Sequence, residues 1–296
     1  MPELPEVETI RTSLSRHIKN SVIERVDVFR PDVLIDCRSE HGELLLTGRT
    51  VRGLTRRGKY LLMHLDDDLV VIMHMRMTGK LLYFPLTSAV GSLEEVDLPA
   101  HTHLRFHLIH PDQSEGVMLF QDVRRFGRFV CVRKADLAGI KGGFSRLGPE
   151  PLTAAFSVDY LWNQMKRHGG LTAKALLLRQ ETVAGIGNIY ADEILFAAGV
   201  HPARRVRQLR RYEVESIVSK AKQILKSSIE VGGTTFKDYV DADNQMGKFG
   251  DRLNVYRRSG QPCIRCGSLL LRINVAGRNT TFCPDCQPRS LPVKRK

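Results

Sequence analysis

Tyr60-Leu61-Leu62-Met63-His64-Leu65-Asp66-Asp67-Asp68-Leu69-Val70-Val71-Ile72-Met73-His74-Met75 holds two apolar, β-prone runs on either side of three aspartates. Runs of this length bounded by turn-forming residues predict a β-hairpin, Tyr60–Leu65 against Leu69–Met75. Further runs flank it at Val22–Phe29, Leu44–Leu54, Thr102–His110 and Val117–Arg133. Short strands at close spacing, with no helices between them, predict a sandwich or barrel. Between them, Pro85–Pro99 reads as an irregular loop.

Upstream, Met1-Pro2-Glu3-Leu4-Pro5-Glu6-Val7-Glu8 precedes an apolar rhythm of Val7, Ile10, Leu14 and Ile18. Proline suits a first helical turn, and Glu6 and Glu8 suit the positive end of a helix dipole. An ordinary helix start accounts for these residues. There is a chemical reading beside it. An initiator methionine before proline is usually removed, which exposes the secondary amine of Pro2. Such an amine can attack an aldehyde-like sugar carbon and form an iminium, with Glu3 beside it to carry a proton.

Downstream, Lys134–Pro151 holds Gly139, Gly142, Gly143, Gly148 and Pro149, a hinge composition. Beyond it the apolar period becomes helical, with candidates at Val158–Lys166, Leu171–Leu178, Ile189–Ala198 and Tyr212–Val231. No internal repeat or low-complexity tract is evident. The expected division is a β-sandwich with its leading helix at 1–133, a hinge at 134–151, a helical domain at 152–254, a small C-terminal module at 255–288 and a basic tail at 289–296. The fold class is therefore α+β and multidomain.

The chain has 296 residues and a net charge of +13, with a pI near 9.7. Such a balance points to a polyanionic partner, nucleic acid or an anionic membrane surface. No apolar run reaches the roughly 18 residues of a membrane span, and no basic, apolar secretory signal opens the chain. The expectation is a cytoplasmic protein, without a membrane partner, that works on nucleic acid.

Four of the six cysteines fall within the last 34 residues, as Cys263-x2-Cys266-x16-Cys283-x2-Cys286. Two paired thiolates at this separation can close one tetrahedral, structural zinc site across a hairpin. Two disulfides are the alternative, disfavoured in a reducing compartment. Cys37 and Cys131 stand alone and read as small buried apolar residues. Arg278, inside the finger, is placed to meet a phosphate with its forked donors, although a plain surface arginine accounts for it as well. Gly185-Ile186-Gly187-Asn188 precedes a helix, where backbone amides can approach a phosphate. Helix packing explains that motif equally well.

Taken together, Pro2-Glu3-Leu4-Pro5-Glu6, Lys59 in Arg57-Gly58-Lys59-Tyr60, Asp122-Val123-Arg124-Arg125-Phe126-Gly127, Gly187-Asn188-Ile189-Tyr190-Ala191 and the four-cysteine finger resemble bacterial formamidopyrimidine-DNA glycosylase. The resemblance runs from residue 2 to about Gln287. It implies a helix–two-turns–helix domain after the sandwich, one structural zinc, and a monomer acting on double-stranded damaged DNA. It also implies excision of oxidised purines followed by β,δ-elimination. By resemblance, Pro2 is the nucleophile at C1′, Glu3 the general acid, Lys59 the phosphate contact and proton carrier of β-elimination, and Arg278 the δ-elimination residue. Glu6, one turn on from Glu3, helps order the site.

Met77, Arg124 and Phe126 match the side chains that fill the gap left by a flipped base. His74, His101, Arg167 and Asn188 match further DNA contacts, with His103 a near competitor of His101. Two features depart from the pattern. Met75-Arg76 puts a bulky charge where a small residue is usual, and the lesion-sensing loop, Thr234 to Arg252, is variable. The rival readings are an endonuclease VIII-like enzyme for oxidised pyrimidines and a non-catalytic zinc-ribbon protein that binds damaged DNA.

Overall fold

The computed structural model describes residues 1–36, 45–86, 98–140, 143–235 and 240–289. Its chain groups into two compact units, Met1–Ser145 with Val231–Gly250, and Arg146–Glu230 with Asp251–Lys296.

The first unit opens with helix α1 (Leu4–Ile18). The hairpin expected at its centre is present as β4 (Tyr60–Leu65) and β5 (Leu69–His74). They belong to a five-stranded sheet in the order β2-β9-β5-β4-β3, with β2 Leu34–Asp36, β3 Val51–Arg57 and β9 Arg128–Arg133. A four-stranded sheet, β1-β7-β8-β6, is built from β1 (Val22–Val28), β6 (Lys80–Leu86), β7 (Thr102–Ile109) and β8 (Glu115–Gln121). All pairings are antiparallel except β2 with β9.

One apolar core joins Val7, Ile10, Leu14 and Ile18 of α1 to Leu61, Met63, Val71 and Met73 of one sheet and Phe106, Met118 and Phe120 of the other. Strand side chains alternate between faces. The other faces of β4 and β5 place Leu62, Val70 and Ile72 in a second cluster with Leu137, Ile140 and Phe144. β5 is buried on both sides, which is why its sequence shows no apolar/polar alternation.

Three expectations are corrected here. Leu44–Leu54 is not one strand: residues 45–46 are helical, Gly48 turns the chain at φ +79°, and β3 begins at Val51, while Leu44 lies outside the described residues. Val117–Arg133 is two strands, parted by a turn at 122–127 that wraps the buried Asp122. Pro85 lies in β6, not in a loop. That strand pairs with β8 on one side only among the described residues, and a strand edge tolerates the missing amide. Leu86 also lies in β6, Leu98 and Pro99 are irregular as expected, and 87–97 are outside the described residues, as is Cys37; Cys131 is buried.

The second unit holds α2 (Val158–Arg167), α3 (Ala173–Leu178), α4 (Asn188–Ala198) and α5 (Arg211–Glu230). Ser157 and Thr172 cap α2 and α3, their hydroxyls accepting from the amides of Tyr160 and Ala175. Gly199, at φ +71°, ends α4. Eight successive residues of α4, Ile189 to Phe196, are buried, so it is the unit's central helix. The hairpin β10 (Leu271–Val275) and β11 (Arg278–Phe282) carries the cysteines at its base. Residues 231–250, expected within the helical domain 152–254, group with the first unit, and the expected hinge 134–151 contains a 3-10 turn at Lys134–Gly139.

Candidate active site and nucleic-acid interface

Pro2 and Glu3 are buried just ahead of α1, and Glu3 is its N-cap. Glu6 organises this end. One carboxylate oxygen accepts the amide of Glu3 at 2.9 Å, and the other accepts the amide of Thr234 at 2.8 Å. Gly233 sits against it at φ +78°, where a Cβ would come within 3.0 Å of Glu6 Oε1. α1 thus ties the chain terminus to the start of the 231–250 segment. Further along α1, Ser13 Oγ accepts from the amide of Ala242 at 3.0 Å.

Lys59 lies in the two-residue loop between β3 and β4, after Gly58 at φ +57°, and is 6 % exposed. Arg56 fixes this loop to α1. Its guanidinium donates to Glu8 at 2.9 Å and to the carbonyl of Gly58 at 3.0 Å. His74, at the end of β5, is held edge-on to Tyr60 with ring centroids 4.5 Å apart. Burial, with the charges of Arg76 and Lys59, pushes its pKa down to about 3. His74 Nδ1 accepts from the amide of Arg76 at 2.9 Å, so the neutral ring carries its proton on Nε2.

Met75 turns into the core and Arg76 outward at φ +53°, which places Met77 on the surface at 39 % exposure. The charge noted as a departure from the family pattern is thus solvent-facing. In the second turn Arg124 lies over the Phe126 ring, 5.0 Å from its centroid, and Phe126 is 49 % exposed. His101 is exposed at φ +66°. His103 is buried, hydrogen-bonded through Nε2 to the carbonyl of Asp122 at 2.7 Å.

In the second unit, Asn188 begins α4, and its side-chain amide donates to the carbonyl of Asn279 at 3.1 Å. Ala276 and Gly277 both take positive φ, the type I′ pattern that closes a two-residue hairpin. The exposed Arg278 follows directly. Beneath the hairpin lies a buried ion pair, Lys174 Nζ to Asp192 at 2.6 Å. Lys174 also donates to Thr280 Oγ1 at 2.7 Å, and Asp192 accepts the amide of Thr281 at 3.2 Å. Burial pushes the Asp192 carboxyl up, to about 7. Arg167 is exposed at the end of α2.

The four cysteines bring their sulfurs within 4.8 Å of one another. Cys263–Cys286 and Cys266–Cys283 are 3.8 and 3.4 Å apart. Sulfurs at the corners of a tetrahedron with Zn–S bonds of about 2.3 Å stand about 3.8 Å apart, so the donor set fits zinc.

Three family models tile the chain. The formamidopyrimidine-DNA glycosylase N-terminal domain matches residues 1–129, the H2TH domain of the same enzymes 147–240, and a zinc finger found in FPG and IleRS 260–289. A formamidopyrimidine-DNA glycosylase of Desulforamulus reducens is 42 % identical over 97 % of this chain and 99 % of its own. The chain belongs to the formamidopyrimidine-DNA glycosylase family. Solved structures agree. A mutant Lactococcus lactis Fpg in complex with Fapy-dG-containing DNA aligns with a TM-score of 0.86 at 33 % identity, over 97 % of this chain and 100 % of the other. A complex of Lactococcus lactis Fpg with abasic-site DNA aligns at 0.85 and 32 %, over 96 % and 99 %.

Within this glycosylase scaffold, Pro2, Glu3, Lys59, His74, Met77, His101, Arg124 and Phe126 fall in the first unit, and Arg167, Asn188, Arg278 and the cysteines in the second. No role for Lys174 or Asp192 is legible in the sequence, which shows Asp122 and Thr234 only as the first residues of a motif and a loop. Each is an ordinary polar residue in the sequence, and only the fold gives it partners.

Proposed function

We propose that this chain is a bifunctional DNA glycosylase and abasic-site lyase of base excision repair, acting on oxidised purines such as 8-oxoguanine and formamidopyrimidines. Its membership of the glycosylase family over nearly the full length supports the substrate class. The observation that carries the mechanism is the N-terminus of α1, where Pro2, Glu3 and the bracing Glu6 meet at a buried helix start.

Removal of Met1 frees the Pro2 nitrogen as a secondary amine. An α-amino group begins near pKa ~8, and the positive helix end disfavours its charged form. The neutral amine attacks C1′ of the damaged nucleotide as the glycosidic bond breaks, its N–H proton passing to the departing base, and Glu3 protonates O4′ so that the sugar ring opens to an iminium. The resulting iminium acidifies C2′–H. Loss of that proton expels the 3′-phosphate, and a second elimination expels the 5′-phosphate. Lys59 and Arg278 hold these phosphates; Lys59 also moves a proton at the β-elimination, and Arg278 serves the δ-elimination as a fixed cation. His74, His101, Arg167 and Asn188 bind flanking phosphates. Exposure favours His101 over the inward-turned His103 for this role. Met77, Arg124 and Phe126 fill the space the base leaves.

One observation favours a second reading, excision of oxidised pyrimidines: a Lactococcus lactis Fpg was solved with DNA containing an oxidised pyrimidine. Single-turnover excision of 8-oxoguanine and of thymine glycol from matched duplexes separates the two. Faster release of 8-oxoguanine is expected, and a preference for thymine glycol contradicts the purine reading.

A further inference from the structure

Met77 sits in one surface turn and Arg124 and Phe126 in another, and both turns close on one buried carboxylate. Asp122, 1 % exposed, follows the end of β8. Its Oδ2 accepts the amide of Gly127 at 2.7 Å, and its Oδ1 accepts the amide of Arg124 at 3.2 Å and the hydroxyl of Thr78. Thr78 Oγ1 in turn accepts from Arg124 N at 3.2 Å. The backbone of Asp122 extends the same knot, donating to the carbonyl of His101 at 3.1 Å and accepting from Arg125 N at 3.2 Å.

This construction demands much of the chain. It buries a carboxylate, and the two turns that it joins carry Arg76 and Arg125 in the left-handed region at φ +53° and +55°. Non-glycine residues keep such conformations only where their surroundings over-determine them. It also leaves no room for a side chain at Gly127, where a Cβ would lie 2.4 Å from the Phe120 ring, or at Gly79, where it would lie 2.5 Å from the carbonyl of Met75. Packing alone needs none of this, because what the two turns present is exposed: Met77 at 39 % and Phe126 at 49 %.

We propose that Asp122, with Thr78 as its bridge, is the positioning residue that locks the Met77 turn and the Arg124–Phe126 turn into one rigid wedge for opening the duplex. The inference rests on the DNA-opening role given to those three side chains above. A wedge must enter a stacked helix before it gains any contact. Loops that ordered themselves during insertion would add their lost conformational freedom to the unstacking cost. A shared, charge-assisted acceptor removes that freedom beforehand.

The test compares the native protein with Thr78→Val, Thr78→Ser, Asp122→Asn, Met77→Ala and Phe126→Ala, each checked for native melting. Single-turnover rates are read on 8-oxoguanine in a matched duplex, on the same lesion in an unpaired bubble, and on a preformed abasic site. Thr78→Val and Asp122→Asn are expected to slow duplex excision roughly tenfold or more, the loss of one hydrogen bond to a charged group. Bubble and abasic substrates should lose much less, and Thr78→Ser, which keeps the hydroxyl, should recover most of the duplex rate. If Met77→Ala and Phe126→Ala slow the duplex reaction but Thr78→Val does not, the lock is refuted and the wedge survives. If all three substrates slow equally in Thr78→Val, the residue is only structural and the proposal is overturned. If Met77→Ala and Phe126→Ala leave duplex excision unchanged, the wedge reading fails and the lock with it.

Discussion

His74 shows how much a single side chain is altered by its place in the fold. It lies between Met73 and Met75 in an apolar strand, the ring is enclosed beside Tyr60 with two cationic residues nearby, and its pKa falls to about 3. In the phosphate-binding role proposed above it would act as a neutral donor through Nε2. Its ring signal in an NMR titration should stay flat between about pH 5 and 8, and a midpoint near the ordinary histidine value contradicts the assignment. The sign for stability follows from proton counting. The unfolded histidine binds a proton that the folded one refuses between about pH 6.5 and 3. Stability therefore falls with falling pH across that window, by at most about 1.4 kcal/mol per unit. Urea titrations should show a shallower acid limb in His74→Gln; an unchanged limb contradicts the shift. Glu3 makes the complementary chemical case. Glu3→Gln keeps the shape and removes the proton, so base excision should fall roughly 10²–10⁴-fold, the usual share of general acid catalysis. Native excision rates in that variant would remove Glu3 from the mechanism.

At the scale of elements, the finger hairpin is held by the helices beneath it. Lys174 of α3 and Asp192 of α4 are buried together and bond to Thr280 and Thr281 of β11, two and three residues from Arg278. Lys174→Ala leaves Asp192 uncompensated and should cost about 3–5 kcal/mol in denaturant unfolding, whereas an apolar Lys174→Met with Asp192→Leu should cost far less. A loss below about 1 kcal/mol in the single variant contradicts a structural pair. These contacts also show what the sequence could and could not tell. β4 and β5 were legible because two apolar runs flank a polar turn, and α4 because its apolar stretch follows a glycine-rich start. The cysteine spacing made the zinc site legible for the same reason, since both pairs are local. Nothing local marks Thr234, 228 positions from Glu6, or Thr78, 44 from Asp122, or Lys174, 106 from Thr280. A polar residue whose partner is that distant looks like surface until the fold is seen. The strand boundaries failed where a left-handed residue turned the chain inside an apolar run, at Gly48 and at Arg125 of the Asp122 turn.

For the whole molecule, a net charge of +13 suits a partner that is a polyanion, and family membership makes that partner DNA. The four clustered sulfurs should take up one zinc per chain by native mass spectrometry, and Cys283→Ser should lose it along with DNA affinity. Full affinity in the zinc-free protein would contradict a structural role. The reacting group proposed above is the chain's own processed terminus, next to Glu6, which bonds to the start of the 231–250 segment. Borohydride reduction during reaction with 8-oxoguanine DNA, followed by peptide mapping of the adduct, tests it most directly. A covalent adduct is expected on the Pro2 nitrogen of protein lacking Met1, and none on protein that keeps it. Strand cleavage with the adduct on Lys59, or with no adduct at all, would contradict it.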